Sequence, residues 1–527
     1  MVLEGETGQC AYGSEVKLGL MNSVPAIDRV AKEKNVKGHH DETFDVVVVG
    51  AGAAGYAAAL AARQAGADVL ILEKCASDLA GGNTRLSGGG WFVNLSAAKS
   101  ANYLRSLCAE FALPDDVVEV WAKETMHNSD WLRALGANVE TSEDYHTAPE
   151  YPELEGSDCY GGMDLINGEL GNGSLYDFLS TSAHACGIDV RFATPALALT
   201  QEPGNGSVLG VRVNHGGREY TVGARGGVIL ATGGFEANEA MVRNYLGLTD
   251  TILWGTHANT GDGHRMAQKV GADLWNMQSM LTITGIKGAG KAGYYLALPT
   301  PQGPNSYIYV APDARRFADE SAWPRHGHVV HHGRYERFPL HAMHMIFDEK
   351  LRRAGPLSPP PEILPIGWQA LMQGYSWSTD NTKEIEQGWI IQANTIAELA
   401  DLLSLDKDAL EATIRQFNEA CSKGDDSVFG RLSSTLDPIS EPPYYAIASP
   451  PLLGWTNGGP RRNGRGQVLD PDGHAIKGLY AAGSVSSTYS WAKDGGFHIA
   501  DALAFGRVAG REAASAVQVA FTSQTSS

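Results

Sequence analysis

The chain carries one contiguous run with clear chemical meaning, Gly50-Ala51-Gly52-Ala53-Ala54-Gly55, and a carboxylate, Glu73, placed 21 residues after Gly52. Glycine at the first position permits a tight turn. At the second it lets backbone approach a pyrophosphate, and at the third it lets the following helix pack on the preceding strand. The N-terminus of that helix offers unpaired N–H groups to phosphate oxygens. Glu73 is placed to accept hydrogen bonds from ribose hydroxyls and would repel a 2′-phosphate. The spacing therefore predicts a dinucleotide site but does not choose between a nicotinamide and a flavin.

Further along lie Gly81-Gly82-Asn83-Thr84-Arg85-Leu86-Ser87-Gly88-Gly89-Gly90, Val228-Ile229-Leu230-Ala231-Thr232-Gly233-Gly234, Thr260-Gly261-Asp262-Gly263 and Gly478-Leu479-Tyr480-Ala481-Ala482-Gly483. In order and type these runs resemble the fumarate reductase/succinate dehydrogenase flavoprotein superfamily, which also holds the 3-ketosteroid dehydrogenases. The resemblance implies an α/β fold (with an α+β cap), a Rossmann-like FAD-binding domain carrying an inserted capping or substrate domain. It implies FAD contacts at Gly50, Gly52, Ala53, Ala54, Gly55, Glu73, Lys74, Gly82, Asn83, Thr84, Ser87, Gly88, Gly89, Ala196, Ala231, Thr232, Gly233, Asn259, Thr260, Asp262, Gly483, Ser484 and Ile499. Succinate dehydrogenases tether FAD to a histidine of the second loop. Residues 81–90 contain none, which implies non-covalent FAD. Ser484 stands where many members have an acidic residue.

The resemblance also nominates groups for the reaction. Arg316-Phe317-Ala318-Asp319-Glu320 resembles the segment preceding the fumarate reductases' proton-donating arginine, and Arg325 follows one residue late. Lys493 stands at a substrate arginine, Trp455 near a substrate histidine, and no carboxylate lies near Thr300, where an acidic relay belongs. Desolvating a dicarboxylate without its cations costs several kcal/mol per charge, on the order of a failed ion pair, so fumarate and succinate are disfavoured. In the 3-ketosteroid dehydrogenases a tyrosine precedes by four residues a glycine whose N–H holds the ketone. Trp491 and Gly495 occupy those places. The catalytic candidates are Arg325, Lys493, Gly495 and Trp491. Lys493 is the alternative base if burial lowers its pKa. The helix opening after Gly495-Gly496 would stabilise the anionic edge of a reduced flavin. Tyr294, Tyr295, Tyr307, Tyr309, Trp323, Trp368, Tyr375 and Trp377, with Trp455, Tyr489 and Trp491, would line an apolar pocket or fill the core. His326, His328, His331 and His332 read as an exposed loop, and no metal is expected.

These groups need elements to hold them. Phe44–Val49, Asp68–Leu72, Asp189–Ala193, Gly206–Asn214, Gly227–Ala231 and Leu479–Ala481 read as strands, and Ala53–Gly66, Ile396–Cys421 and Gly496–Ala514 as helices. Residues 100–190 otherwise read as helix and loop. The expected organisation is an extension over 1–43, an FAD-binding domain built from 44–274 and 441–519, a capping domain over 275–440, and a polar tail at 520–527.

The 527 residues carry a formal charge of −19, which argues against a nucleic-acid partner. Cys10, Cys75, Cys108, Cys159, Cys186 and Cys421 form no CxxC pair. With no secretory signal and no apolar membrane span in the sequence, a cytoplasmic protein is expected. The expectation is an FAD oxidoreductase that dehydrogenates or reduces a carbon–carbon bond beside a carbonyl. Its substrate would be a mostly apolar small molecule, and its electron donor or acceptor is unidentified. An oxidase or hydroxylase on the same scaffold, or a flavin-carrying electron-transfer subunit, remains the alternative.

Overall fold

A computed structural model describes residues 40–288, 293–295, 305–321, 326–331, 334–337, 343–360, 367 and 375–525. Six strands form the path of the main sheet: β1 (Glu42–Val49), β2 (Val69–Leu72), β3 (Asp189–Arg191), β4 (Arg218–Leu230), β5 (Gln467–Leu469) and β6 (Ala475–Ala481). Their order is β5-β6-β4-β1-β2-β3, and strands Ala196–Gln201 and Val208–His215 add to it beside β4. All neighbours from β6 to β3 run parallel, with Val49 opposite both Leu72 and Leu230. Buried on both faces, the second half of β1 (Val46–Val49) and all of β2 consist of apolar residues without alternation, as such strands must. This is the α/β, Rossmann-like architecture.

Helix α1 (Ala53–Gln64) starts at the glycine turn, and its first ten residues are all buried. Alanine favours the helix intrinsically and leaves no bulk between it and its neighbours. It ends before Gly66, whose φ of 89° suits the left-handed cap. Across α1 lies the last helix, α2 (Phe497–Thr525). A Cβ on Gly506 would come within 2.6 Å of the Ala54 carbonyl oxygen, and one on Gly510 within 2.2 Å of that of Ala58. The two helices thus touch backbone to backbone, one from each end of the chain.

Between these ends, Tyr307–Val310, His344–Asp348, Tyr444–Ala448 and Ile390–Ala393 form an antiparallel sheet. Its faces alternate with period two. Ile308, Ile346 and Ala446 pack on Leu399, Leu410, Ile414 and Phe417, while Tyr307, Tyr309, Phe347 and Tyr445 pack with Trp377 on the other side. Arg316 pairs with Glu320 and Asp426 at its edge, at 2.6 and 2.9 Å. The stretch Ile396–Cys421 is two helices, Ile396–Leu403 and Lys407–Lys423, broken where Ser404 takes a φ of 56°. A three-stranded sheet (Trp91–Asn94, Tyr160–Ile166, Val139–Thr141) occupies part of the region read as helix and loop. Among the described residues no helix is long and apolar enough to cross a membrane.

Candidate active site

The carboxyl ends of β1, β2, β4 and β6 open onto one cleft, with about 870 Å³ of empty space counting its open mouth. Ligands of open parallel sheets bind at such strand ends. Gly50 (φ 108°) turns the chain so tightly that a Cβ would lie 2.3 Å from the Ala231 carbonyl oxygen. A Cβ on Gly55 would lie 1.9 Å from that of Gly50, so the helix sits directly on the turn. Glu73 is buried, and its two carboxylate oxygens accept N–H bonds from Ala51 and Cys75, each at 2.9 Å. Those bonds fix the carboxylate at the cleft and leave lone pairs on both oxygens for hydroxyls. Thr84 Oγ1 accepts the Ala53 N–H at 2.9 Å, tying the second glycine loop to the start of α1. The Thr232 hydroxyl is buried in the lining, with no hydrogen-bond partner among the described residues. An orphaned hydroxyl, a glycine cradle and a fixed carboxylate suit a dinucleotide.

Of the residues expected to touch the cofactor, all but Gly55, Ser87, Gly88, Gly89, Thr260 and Ile499 line this cleft. Thr260 lies one layer back, where Lys74 Nζ donates to Thr260 Oγ1 and to Asp262, at 2.9 and 2.6 Å. Ser87 Oγ accepts the Gly89 N–H within its own loop, at 3.1 Å. Behind the cleft, buried Glu236 gathers Asn83, Asn259 and Thr456, so three separate segments share one carboxylate. Burial raises its pKa against the pull of these donors.

The residues just before α2 form a second polar centre. Lys493 is 3% exposed, and its Nζ lies 4.9 Å from the centre of the Trp455 ring. Burial pushes its pKa down to about 7, against the opposing pull of Glu150 and Asp494. Asp494 accepts from the Tyr103 hydroxyl at 2.6 Å, the Glu150 N–H at 3.0 Å and the Gly495 N–H at 2.6 Å. Burial and the Glu150 charge push its carboxyl up, to about 8. His326 Nδ1 closely contacts the Glu150 carboxylate, and His146 Nδ1 lies 3.6 Å from it. His498, in the first turn of α2, accepts from Trp455 Nε1 at 2.6 Å. Burial keeps His146, His326 and His498 neutral, the first at about 4. Ala502 of the same helix lines the cleft, roughly 7.5 Å along the axis from Phe497 at 1.5 Å per residue.

Of the four catalytic candidates, Lys493, Gly495 and Trp491 thus belong to one neighbourhood, and Arg325 lies outside the described residues. The Gly495 N–H, expected to meet a ketone, donates to Asp494 instead. A Cβ there would come within 2.5 Å of the His146 ring, so the position needs glycine for that reason too. Contrary to the exposed-loop reading, His326 and His328 are packed inside. Strand pairing turns His328 inward until it is 4% exposed. His332, Trp323 and Trp368 lie outside the described residues, as does any account of the side chains of Tyr294, Tyr295 and His331. Tyr307, Tyr309, Tyr375 and Trp377 pack in the core of the second sheet, whereas Trp455, Tyr489 and Trp491 surround the polar centre. Sequence reasoning missed Asp494, Glu150, His146 and His498. Only Asp494, beside Lys493 at the mouth of a helix, carried a local signal.

Residues 45–497 match the family described as FAD binding domain. The chain belongs to that family, and so to the FAD-dependent fumarate reductase/succinate dehydrogenase flavoprotein superfamily; it binds FAD. A probable fumarate reductase of Shewanella frigidimarina is 27% identical over 92% of this chain and 76% of its own length. Vinyl phenol reductase of Lactiplantibacillus plantarum is 29% identical over 84% and 90%. The chain spans about half the length of some other curated relatives. In fold it is similar to the 3-ketosteroid Δ1-dehydrogenase of Sterolibacterium denitrificans, with a TM-score of 0.73, 22% identity, and 90% and 100% of the two chains covered. The two curated reductases support FAD-dependent redox chemistry at carbon–carbon bonds.

Proposed function

We propose that this protein adds or removes hydrogen across a carbon–carbon bond adjacent to a carbonyl, with Lys493 moving the proton. The observation that carries this reading is Lys493 itself: a buried amine with a pKa near 7, set before the helix that lines the cofactor cleft. Bound FAD supplies hydride acceptance or donation at N5. A group that titrates near the working pH gives and takes protons with little driving-force penalty. Neutral Lys493 accepts the proton from the carbon beside the carbonyl, and the ammonium returns it in the reverse direction. The Glu150 charge stabilises the ammonium, and Trp455 excludes water and faces the cation. FAD is held non-covalently, since the second glycine loop lacks histidine.

The test is a dye-coupled assay of the holoprotein against saturated ketones, and the reverse assay against enones. Turnover should fall about 10²-fold or more in Lys493→Met while flavin content is unchanged. Near-normal turnover in that variant, or oxygen uptake matching substrate loss, would overturn the proposal.

A further inference from the structure

Lys493 is the one buried lysine among the described residues. Lys74, Lys99, Lys287 and Lys350 each pair with a carboxylate, of Asp262, Asp158, Asp250 and Asp437 in turn. Among the described residues Lys493 Nζ makes no hydrogen bond and has no carboxylate oxygen within 4.0 Å. What it meets is the Trp455 ring, whose centre lies 4.9 Å away.

A buried ammonium without acceptors is strongly disfavoured, and the group sheds its proton instead. The neutral amine that remains has a free lone pair and attacks carbonyl carbon, the way in which desolvated lysines become nucleophiles. The surroundings of Nζ are aromatic. Trp455 stacks with Trp254 at 6.0 Å and meets the rings of His498 at 5.0 Å and His326 at 6.4 Å. Burial, with the Lys493 charge, keeps both imidazoles neutral. Trp455, His326 and His498 each stay part-exposed, so this wall is not sealed from solvent. A protonated Schiff base would hold one positive charge where the ammonium held it, spread over carbon and nitrogen. The indole face suits such a cation, and the Glu150 charge favours it from further off.

We infer that Lys493 forms a Schiff base with an apolar aldehyde that enters beside Trp455. The nitrogen lone pair makes the C–N bond. The carbonyl oxygen leaves as water with both protons of the amine, and nothing is oxidised or reduced. Aldehydes are taken before ketones because their carbonyl carbon is less crowded and more electrophilic. The inference rests on the reading above for the access of carbonyl compounds to Lys493. It goes beyond that reading because carbon, and not a proton, ends on the nitrogen. An aldehyde held in this way occupies the lone pair that proton transfer needs.

The probe is benzaldehyde, which has no hydrogen on its α carbon and no alkene to reduce. The wild-type holoprotein is kept at pH 7 with benzaldehyde and cyanoborohydride, which reduces the C=N bond where it forms. Labelled lysines are mapped by peptide mass spectrometry while flavin absorbance reports the intact holoprotein. Lys493 should be benzylated about tenfold or more faster than any exposed lysine. About half of an amine with a pKa near 7 is neutral at that pH, against about three in ten thousand of an ordinary one. In protein unfolded by urea the advantage should vanish, because the burial is gone. Labelling of Lys493 no faster than the exposed lysines in the folded holoprotein overturns the inference, as does an equal advantage in the unfolded chain. Labelling is read without turnover, so the two proposals fail separately. Fast labelling in a protein that turns over neither ketones nor enones leaves this inference standing and sinks the proposed reaction. Turnover that depends on Lys493, without fast labelling, does the reverse.

Discussion

Replacing Lys493 by methionine should make the protein more stable, by an amount that depends on pH. Lysine outside a protein titrates near 10.5, and burial brings Lys493 to about 7. That gap corresponds to about 5 kcal/mol of cost for holding the ammonium inside, at 1.36 kcal/mol per pKa unit. The folded-state pKa is the depressed one for a base, so between pH 7 and 10.5 the unfolded chain binds a proton that the native state does not. Wild-type stability from this group therefore rises with pH across that window, by about 1.4 kcal/mol per pH unit. Below pH 7 the cost is present in full. Methionine fills similar space without the charge. The variant's advantage should approach 5 kcal/mol, on the order of the whole cost, below pH 7 and disappear near pH 10. Urea unfolding of both holoproteins from pH 6 to pH 9.5, followed by circular dichroism, reads the difference; titrations of groups that do not interact with Lys493 cancel. A difference that stays flat with pH, or a wild type more stable than the variant at pH 6, would refute the assignment.

Glu73→Gln turns one acceptor into a donor facing the N–H of Ala51 or Cys75 and removes the charge that meets the ribose; with about 1.5–3 kcal/mol lost per charged hydrogen bond, FAD should bind tenfold or more weakly. Equilibrium dialysis showing unchanged affinity would count against this role. Gly510→Val forces a branched side chain against the Ala58 carbonyl and should cost about 1–3 kcal/mol or more, seen as a lower melting temperature and poorer flavin retention; wild-type melting would show that the helices are not in backbone contact. Acid precipitation should leave FAD in the supernatant, and a yellow pellet after denaturation would mean a covalent bond.

The cofactor cleft was legible because its parts are contiguous. A β-branched strand, a glycine turn and an alanine helix announce themselves within about twenty residues, and Glu73 sits where the second strand must end. The polar centre was not. The Glu150 N–H donates to the Asp494 carboxylate across 344 positions, and the place of Asp494 at the mouth of a helix says nothing of which segment it meets. The sequence shows no acidic relay near Thr300, and the structure draws its carboxylates from other segments. Histidines 326 and 328 looked like loop residues because four close histidines are polar on any scale, and only the pairing of their strand decides which way they face. The three-residue strand Val139–Thr141 is too short to leave a periodic signature.

The contact between α1 and α2 has a consequence for how the protein is made. Ala482, Gly483 and Ser484 close the cleft that Gly50 and Glu73 open, and α2 backs the helix that presents its N-terminus to the phosphates. A nascent chain that has emerged only through the second sheet holds the glycine turn and the carboxylate but neither the floor of the cleft nor its support. Flavin capture therefore waits until residues 482–484 and α2 have been made. A ribosome paused before residue 475 would display an unfilled, half-built sheet with β4 exposed along the edge that β6 will cover, the condition under which a chaperone finds the most to hold.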